Sequence, residues 1–131
     1  MKQLLFSSRG RASRATFWGV GIGWAVAIGL VAGAAVAFNR EPEPSTAVNL
    51  TLSLLMFVML VAAVWSGLCL GIKRYHDLGK PGAWVLIQFV PVIGTAWYFV
   101  EAGFFRGTDG ANAYGPASDG SGQRVGAQAA A

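Results

Sequence analysis

The chain has 131 residues, of which 54% are hydrophobic and only 12% are charged. Soluble domains carry about a quarter charged residues, so this composition excludes an ordinary soluble domain of this size. The net charge of +4 comes from short basic clusters beside apolar runs, a pattern typical of lipid-headgroup contact rather than of nucleic-acid binding. The single cysteine, Cys69, lies within an apolar run and is interpreted as a buried thiol.

The first apolar run, residues 16–38, follows three arginines between positions 9 and 14. Its 23 uncharged residues are long enough to cross a hydrocarbon core of ~30 Å as a helix. The preceding arginines favour a cytoplasmic amino terminus. A cleaved signal peptide is the alternative, because residues 35–37 (AVA) imitate a cleavage site. The run exceeds the ~7 to 15 residues of a signal core and further apolar runs follow, which favours retention.

Residues 39–45 (NREPEPS) form a polar break with two prolines and little positive charge, which suits the far side of the membrane. The uncharged run 47–72 then predicts a second transmembrane helix. Both helices carry small residues at every fourth position, a spacing that lets helix backbones approach closely. We expect the ridges to pack against each other within the chain, and homodimerisation is the alternative. The ridge residues are Gly21, Ala25, Gly29, Gly33 and Ala37 in the first helix and Ala63, Gly67 and Gly71 in the second.

The third apolar run, residues 83–105, follows a charged loop and contains Pro91 and Gly94 near its middle. Its total length predicts a third transmembrane helix, kinked at the proline. A re-entrant hairpin that turns at residues 91–94 is the alternative, and it would return the carboxyl terminus to the cytoplasm. The sequence thus predicts an all-α integral membrane protein, a small bundle of three transmembrane helices. Residues 1–116 form one membrane domain, and the polar residues 117–131 are predicted to be a disordered tail.

The charged loop, KRYHDLGKPGAW at residues 73–84, holds the only histidine, His76, beside Asp77. An imidazole next to a carboxylate is a candidate general base or half of a metal site. Adjacent residues point in different directions, however, and no further ligand stands at metal spacing. We therefore favour a structural role, in which Asp77 caps a turn or contacts Arg11 or Arg14 of the amino-terminal segment. The sequence contains no enzyme motif, and it predicts no catalytic residue, cofactor site or metal site.

Two polar residues lie within the third run. Glu101 is an acid in an apolar stretch and hence a candidate for a proton or cation path. We favour a position at the interface, where Arg106 lies within about one and a half turns. Gln88 is interpreted as an interhelical hydrogen-bond donor.

Three blocks carry a family resemblance: GRASRATFW at 10–18, KRYHDLGKPGAW at 73–84 and GTDGANAYGP at 107–116. In order and spacing they resemble the signature blocks of the YhaH-like family of small bacterial inner-membrane proteins, domain of unknown function 805. The resemblance covers about residues 6–116 and implies a bacterial inner-membrane location. The motif positions that it implies are Gly10, Arg11, Arg14, Phe17, Trp18, Arg74, His76, Asp77, Gly79, Gly82, Trp84, Gly110, Asn112, Tyr114 and Gly115.

The chain departs from the family pattern at Thr16, where members often carry an acid, and at Tyr75, Pro81 and Ala83. A local ion pair from position 16 is therefore not expected. A three-span topology would also place the third block on the opposite side of the membrane from the first two. The hairpin alternative would bring all three together.

The predicted function is that of a non-enzymatic, multi-pass inner-membrane protein with a cytoplasmic amino terminus, acting by helix packing with another copy or with a partner membrane protein. Its other predicted contacts are the lipid bilayer and anionic headgroups at the cytoplasmic face, and no nucleic acid. Two alternatives stay open: an oligomeric small channel or transporter subunit lined by Glu101 and Gln88, and an enzyme that acts on lipid headgroups at the His76–Asp77 face.

Overall fold

The computed structural model describes residues 8–43 and 45–118. These residues form helices joined by short segments, with one isolated bridge between Asn112 and Gly115 and no strand within the described ranges. The predicted all-helical fold is confirmed. The elements are α1 (Arg14–Phe38), α2 (Thr46–Asp77), a 3₁₀ helix (Gly82–Phe89) and α3 (Ile93–Phe104).

Helices α1 and α2 are both long and apolar enough to cross a membrane. Their 25 and 32 residues correspond to roughly 38 and 48 Å, more than the ~30 Å hydrocarbon core. Large apolar side chains on both helices face outward: Leu30 is 71% exposed and Leu50 is 67% exposed. Exposed leucines are costly in water and favourable in lipid, so these surfaces fit a bilayer.

The third apolar run forms a hairpin of two short segments, residues 82–104, instead of the single kinked helix predicted over 83–105. Between the segments, Val92 adopts φ 61° and ψ −67°, and the Ile93 N–H donates to the Pro91 carbonyl at 2.7 Å. This geometry is a γ-turn, which reverses the chain tightly. Lys80 and Glu101 form an ion pair, so the two ends of the run lie together.

The predicted third transmembrane helix is therefore not confirmed. The 12 residues of α3 reach about 18 Å, and the eight-residue 3₁₀ helix about 16 Å. Neither segment alone is long enough for a ~30 Å core. The physical reason is that Pro91 lacks an N–H and Val92 leaves the helical region, which breaks the hydrogen-bond ladder where the kink was expected.

The core lies at one end of the molecule, where α2 ends. Its buried apolar residues come from every element, and the rings of Phe17 and Tyr98 meet edge to face at 5.8 Å. The hairpin packs closely on Gly71, where an added Cβ would lie 2.7 Å from Val85. The buried cluster consists of Ala12, Phe17, Leu70, Tyr75, Val85, Tyr98 and Ala102.

The small-residue ridge of α1 is exposed, so the favoured prediction that it packs closely on α2 is not confirmed; Gly21 and Ala25 instead line a groove that Ala63 and Gly67 of α2 also line. A Cβ added at Gly21, Gly29 or Gly33 would meet no atom within 4 Å. The half-buried positions of α1 lie on another face, which includes Ala27 and Ala34. Because small residues occur on both faces of α1, their spacing alone did not identify the packed one.

The predicted disordered tail, residues 117–131, lies outside the described residues except for Ala117 and Ser118. Ser118 donates a hydrogen bond from its hydroxyl to Asp77 Oδ1 at 2.7 Å. The division between the domain and the tail at residue 116 stays a prediction.

Candidate functional site

The last turn of α2 presents the charged residues of the central block, and a glycine ends it. Gly79 adopts φ 75°, a left-handed conformation that is easily accessible to glycine. The Lys80 N–H donates to the Tyr75 carbonyl at 2.9 Å, and the Gly79 N–H donates to the His76 carbonyl at 3.1 Å. These two bonds make a Schellman motif. The motif satisfies carbonyls at the end of α2 and turns the chain toward the hairpin.

Asp77 lies between two arginines, and we call Arg11, Arg74 and Asp77 the clasp. Arg11 Nε donates to Asp77 Oδ1 at 2.9 Å, and Arg74 Nη1 donates to Oδ2 at 2.6 Å. All three side chains are at most 3% exposed. The predicted contact between the amino-terminal segment and Asp77 is therefore present and is made by Arg11, whereas Arg14 lies elsewhere. Removing one partner from such a buried cluster leaves an uncompensated charge.

The clasp also holds the loop of residues 107–118. The guanidinium of Arg11 donates to the carbonyls of Gly110 at 2.6 Å and Thr108 at 2.7 Å. The backbone carbonyl of Asp77 accepts from the N–H of Thr108 at 2.7 Å and from its hydroxyl at 2.9 Å. Residues about one hundred positions apart are thus joined through one guanidinium.

A second set of donors covers the carboxyl end of α3. The last carbonyls of a helix have no partner within it, and they carry the negative end of the helix dipole. Two arginines and an indole satisfy these carbonyls, which places positive charge where the dipole favours it. The pairs are Arg74 Nε to Ala102 O (2.6 Å), Trp18 Nε1 to Gly103 O (3.0 Å), Arg14 Nη1 to Phe104 O (3.2 Å), and Arg74 Nη2 to Phe105 O.

His76 joins the first and third blocks. Its Nδ1 donates to the Gly10 carbonyl at 3.1 Å, and its ring stacks on Tyr114 with centroids 4.0 Å apart and planes 2° from parallel. Its backbone carbonyl accepts from Asn112 Nδ2 at 2.8 Å. His76 and the neighbouring Asp77 thus have separate partners, and they do not form a base with its orienting carboxylate.

Glu101 was predicted to lie at the interface near Arg106, but it is buried and paired with other residues. It accepts from Lys80 Nζ and from Trp97 Nε1, the latter at 2.9 Å. Arg106 instead lies 3.6 Å from Asp109, and both side chains are exposed. Lys80 and Glu101 carry opposite charges and lie at the two ends of the third run. The hairpin alternative brings these ends together, so it was the signal for this pair.

The remaining predicted position of the central block, Trp84, lies away from the clasp. It is 45% exposed, and Lys80 Nζ lies 4.9 Å from the centroid of its ring, a cation–π distance. Sequence analysis missed Thr108 and Ser118, which bind Asp77, because a hydroxyl in a loop carries no pattern of its own. Within residues 8–43 and 45–118, no three His, Cys, Asp or Glu side chains are grouped so as to hold a metal.

These contacts bring together the three sequence blocks that share a family resemblance, and a family model for them matches residues 5–116. The chain belongs to the DUF805 family. The family is described as a protein of unknown function. DUF805 membership confirms the resemblance seen in the three blocks.

Two curated relatives of this DUF805 chain come from Escherichia coli K12. The uncharacterized protein YiiR is 29% identical over an alignment of 140 positions, which includes gaps and covers 88% of this chain and 88% of YiiR. The inner membrane protein YhaI is 42% identical over 69 residues, which cover 51% of this chain and 56% of YhaI. No solved structure matches the chain significantly. A relative in the inner membrane and two helices apolar enough to span one agree in identifying a membrane protein.

Proposed function

We propose that this DUF805 protein is a non-enzymatic inner-membrane protein that acts by packing α1 against a helix of another copy or of a partner membrane protein. The observation that carries the proposal is the open ridge of α1. Gly29, Gly33 and Ala37 are exposed, and the described residues leave the space beside both glycines empty. Small residues at this spacing are where helices associate in membranes, because they let two backbones approach.

The proposed topology is two spanning helices and a re-entrant hairpin, with the amino terminus and the end of the hairpin in the cytoplasm. The basic residues of the clasp end and the polar break at residues 39–45 lie at opposite ends of α2. The positive end is expected to stay inside. A carboxyl-terminal reporter fusion tests this topology, and we expect it to be active in the cytoplasm. A reporter active only outside would instead support three spans.

The contacts of the central block support a non-enzymatic role. The carboxylate of Asp77 is engaged by two arginines and a serine, and His76 is held by Gly10 and Tyr114. A histidine base is ordinarily oriented by a carboxylate, and the carboxylate of Asp77 is bound elsewhere. Glu101, on which the channel alternative depends, is engaged by Lys80 and Trp97, so we do not propose a channel.

Disulfide cross-linking in native membranes tests the packing proposal. In a Cys69→Ala background, cysteine is placed at Gly29 on the ridge or at Leu30, the matched control. The two positions lie at the same depth and differ by about 100° around the helix. We expect Gly29→Cys to form a cross-linked product several-fold faster than Leu30→Cys.

The mass of the product identifies the partner. A band at twice the mass of the chain indicates self-association, and a band at another mass indicates a different membrane protein. Equal cross-linking at Gly29 and Leu30 would reflect random collision and would contradict the proposal. Absence of any product at Gly29 would contradict it as well.

A further inference from the structure

Two cavities lie along one face of α1. The first, the basic pocket, is a space of about 330 Å³ between the beginning of α1 and residues 106–118, and Arg14 lines it. The second, the apolar groove, is a space of about 590 Å³ between α1, α2 and the hairpin. Trp18, Gly21 and Ala25 line it from α1. Positions 14, 18, 21 and 25 follow one another at helical spacing, so one stripe of α1 runs from the basic pocket into the apolar groove.

The basic pocket has cationic groups with unused donors. Arg14 donates one of its five guanidinium N–H groups to the Phe104 carbonyl. Arg106 is 77% exposed, and its only ion pair among the described residues is the 3.6 Å contact with Asp109, which is itself 85% exposed. Such exposed pairs are weak and exchange readily. Both arginines are therefore available to an anion, with Asp109 as a mobile competitor.

The second carboxylate of the basic pocket, Asp77, does not repel an anion strongly. Arg11 and Arg74 each bind one of its oxygens, so the three clasp residues together carry a net positive charge. Ser13 caps the beginning of α1 by accepting the Thr16 N–H, and the positive end of the helix dipole there adds to the positive potential. The pocket thus favours phosphate on electrostatic grounds, and guanidinium groups match phosphate geometry.

The apolar groove has room because its walls carry small residues. Gly21 and Ala25 of α1 face Ala63 and Gly67 of α2 across it. A Cβ added at Gly21 or Gly67 would meet nothing within 4 Å. The hairpin forms the third side with Phe89, Tyr98 and Phe99. The groove therefore has room for an apolar chain.

We propose that this face of α1 binds one anionic phospholipid of the cytoplasmic leaflet, with the phosphate in the basic pocket and an acyl chain in the apolar groove. The proposal rests on the proposed topology, which places the clasp end at headgroup level. A cationic cavity and an apolar cavity that follow one another along the same face of α1 complement an amphiphile with a negative head. A second copy of the chain fits this end less well, because a two-fold contact would bring two basic ends together.

The test uses the full chain in detergent micelles that contain equal amounts of phosphatidylglycerol and phosphatidylcholine. Native mass spectrometry measures the bound lipid. We expect the wild-type protein to retain phosphatidylglycerol preferentially. Arg106→Gln should lower its affinity about threefold, as for loss of one exposed ionic contact, and Asp109→Asn should raise it. Arg40→Gln removes the same charge from the opposite end of α1 and should change nothing.

The groove is tested separately with Gly21→Leu, which fills it, and with Gly23→Leu as the matched control, an exposed glycine outside both the groove and the ridge. We expect Gly21→Leu to reduce retention of phosphatidylglycerol about tenfold, since the acyl chain loses its place, while Gly23→Leu has no effect. Neither Arg106 nor Gly21 belongs to the clasp, so these variants leave it intact. Gel filtration of each variant checks that the protein remains folded.

Several outcomes would overturn the lipid site. They are equal retention of the two lipids, an equal effect of Arg40→Gln and Arg106→Gln, and an unaltered affinity in Gly21→Leu. Inorganic phosphate that displaces phosphatidylglycerol would indicate a site for free anions and would also overturn the proposal. If the carboxyl-terminal reporter is active in the cytoplasm but the protein shows no lipid preference, only the proposal of a lipid site is contradicted. If the reporter reads outside, the topology fails and the lipid site with it.

Discussion

The clasp end and the membrane helices of this molecule differ in which side chains are buried and which are exposed. At the clasp end, two acidic side chains are buried with their partners: Asp77 has two arginines, and Glu101 has a lysine and an indole. Along the membrane helices, large apolar side chains are exposed and the small-residue ridge of α1 is uncovered. The polar contacts of the clasp end are made within one chain, whereas the helical part leaves apolar and small side chains exposed.

This difference has a physical origin. Lipid is as apolar as leucine, so burying leucine between α1 and α2 provides little driving force within a membrane. Charged groups are costly in lipid, so they lie beyond the ends of the apolar runs, and buried ones at the clasp end form ion pairs. The specific polar contacts of the chain therefore lie mainly at the clasp end. Substitutions at the two ends should differ sharply in their effect on stability, and four experiments measure that difference.

The largest effect is expected for Asp77→Ala. This change leaves Arg11 and Arg74 buried without their shared carboxylate, which typically costs about 3–5 kcal/mol. We expect the protein level in the membrane to fall strongly and the purified variant to lose its thermal unfolding transition. Asp109→Ala removes an exposed carboxylate from the same end and serves as the control. Similar behaviour of the two variants would mean that the clasp does not stabilise the fold.

The next largest effect is expected when glycines of the two regions are substituted and compared. A Cβ at Gly103 would lie 2.9 Å from the ring of Trp18, whereas a Cβ at Gly33 would meet nothing within 4 Å. We expect Gly103→Ala to cost about 1–3 kcal/mol by overpacking. Gly33→Ala should be neutral or stabilising by up to about 1 kcal/mol, since alanine is the better helix former. Thermal unfolding in one detergent measures both, and a reversed order would contradict the assignment of the packed end.

A smaller effect is expected for the stack of His76 on Tyr114. A double-mutant cycle with His76→Ala and Tyr114→Ala should give a coupling of about 0.5–1.5 kcal/mol, as for other ring pairs. Unfolding midpoints of the four proteins provide the measurement. Strictly additive effects would show that the central and third blocks are joined without this stack.

The smallest effect is expected at the turn of the hairpin. Val92 is β-branched and adopts φ 61°, a region that normally costs such a residue about 1–3 kcal/mol. Val92→Gly removes this strain but increases the freedom of the unfolded chain, so we expect a net gain below about 1 kcal/mol. Ile93→Gly is the control at the next position, which is helical, and it should destabilise. A loss of stability in Val92→Gly would argue against the γ-turn.

Much of this architecture could be predicted from the sequence. Two uncharged runs predicted α1 and α2. The amino-terminal arginines and Asp77 were expected on the same membrane face, which predicted a contact between them. The choice of Arg11 over Arg14 could not be made, since both lie at the beginning of α1 and on the same side of the membrane. The structure of the third run was harder to predict, because a proline in an apolar run is compatible with a kink or with a reversal of the chain. The total length of the run favoured a transmembrane span.

Local pattern by itself determined which segments are apolar helices, which end of the molecule is basic and which family the blocks resemble. Those properties depend on hydrophobicity and charge within a few turns of chain. Only the tertiary structure decided that the third run returns, that the three blocks meet around Asp77 and that the ridge of α1 is open. Each of these depends on contacts between residues far apart in sequence, such as Arg11 with Gly110, and these form only because the chain reverses at Val92.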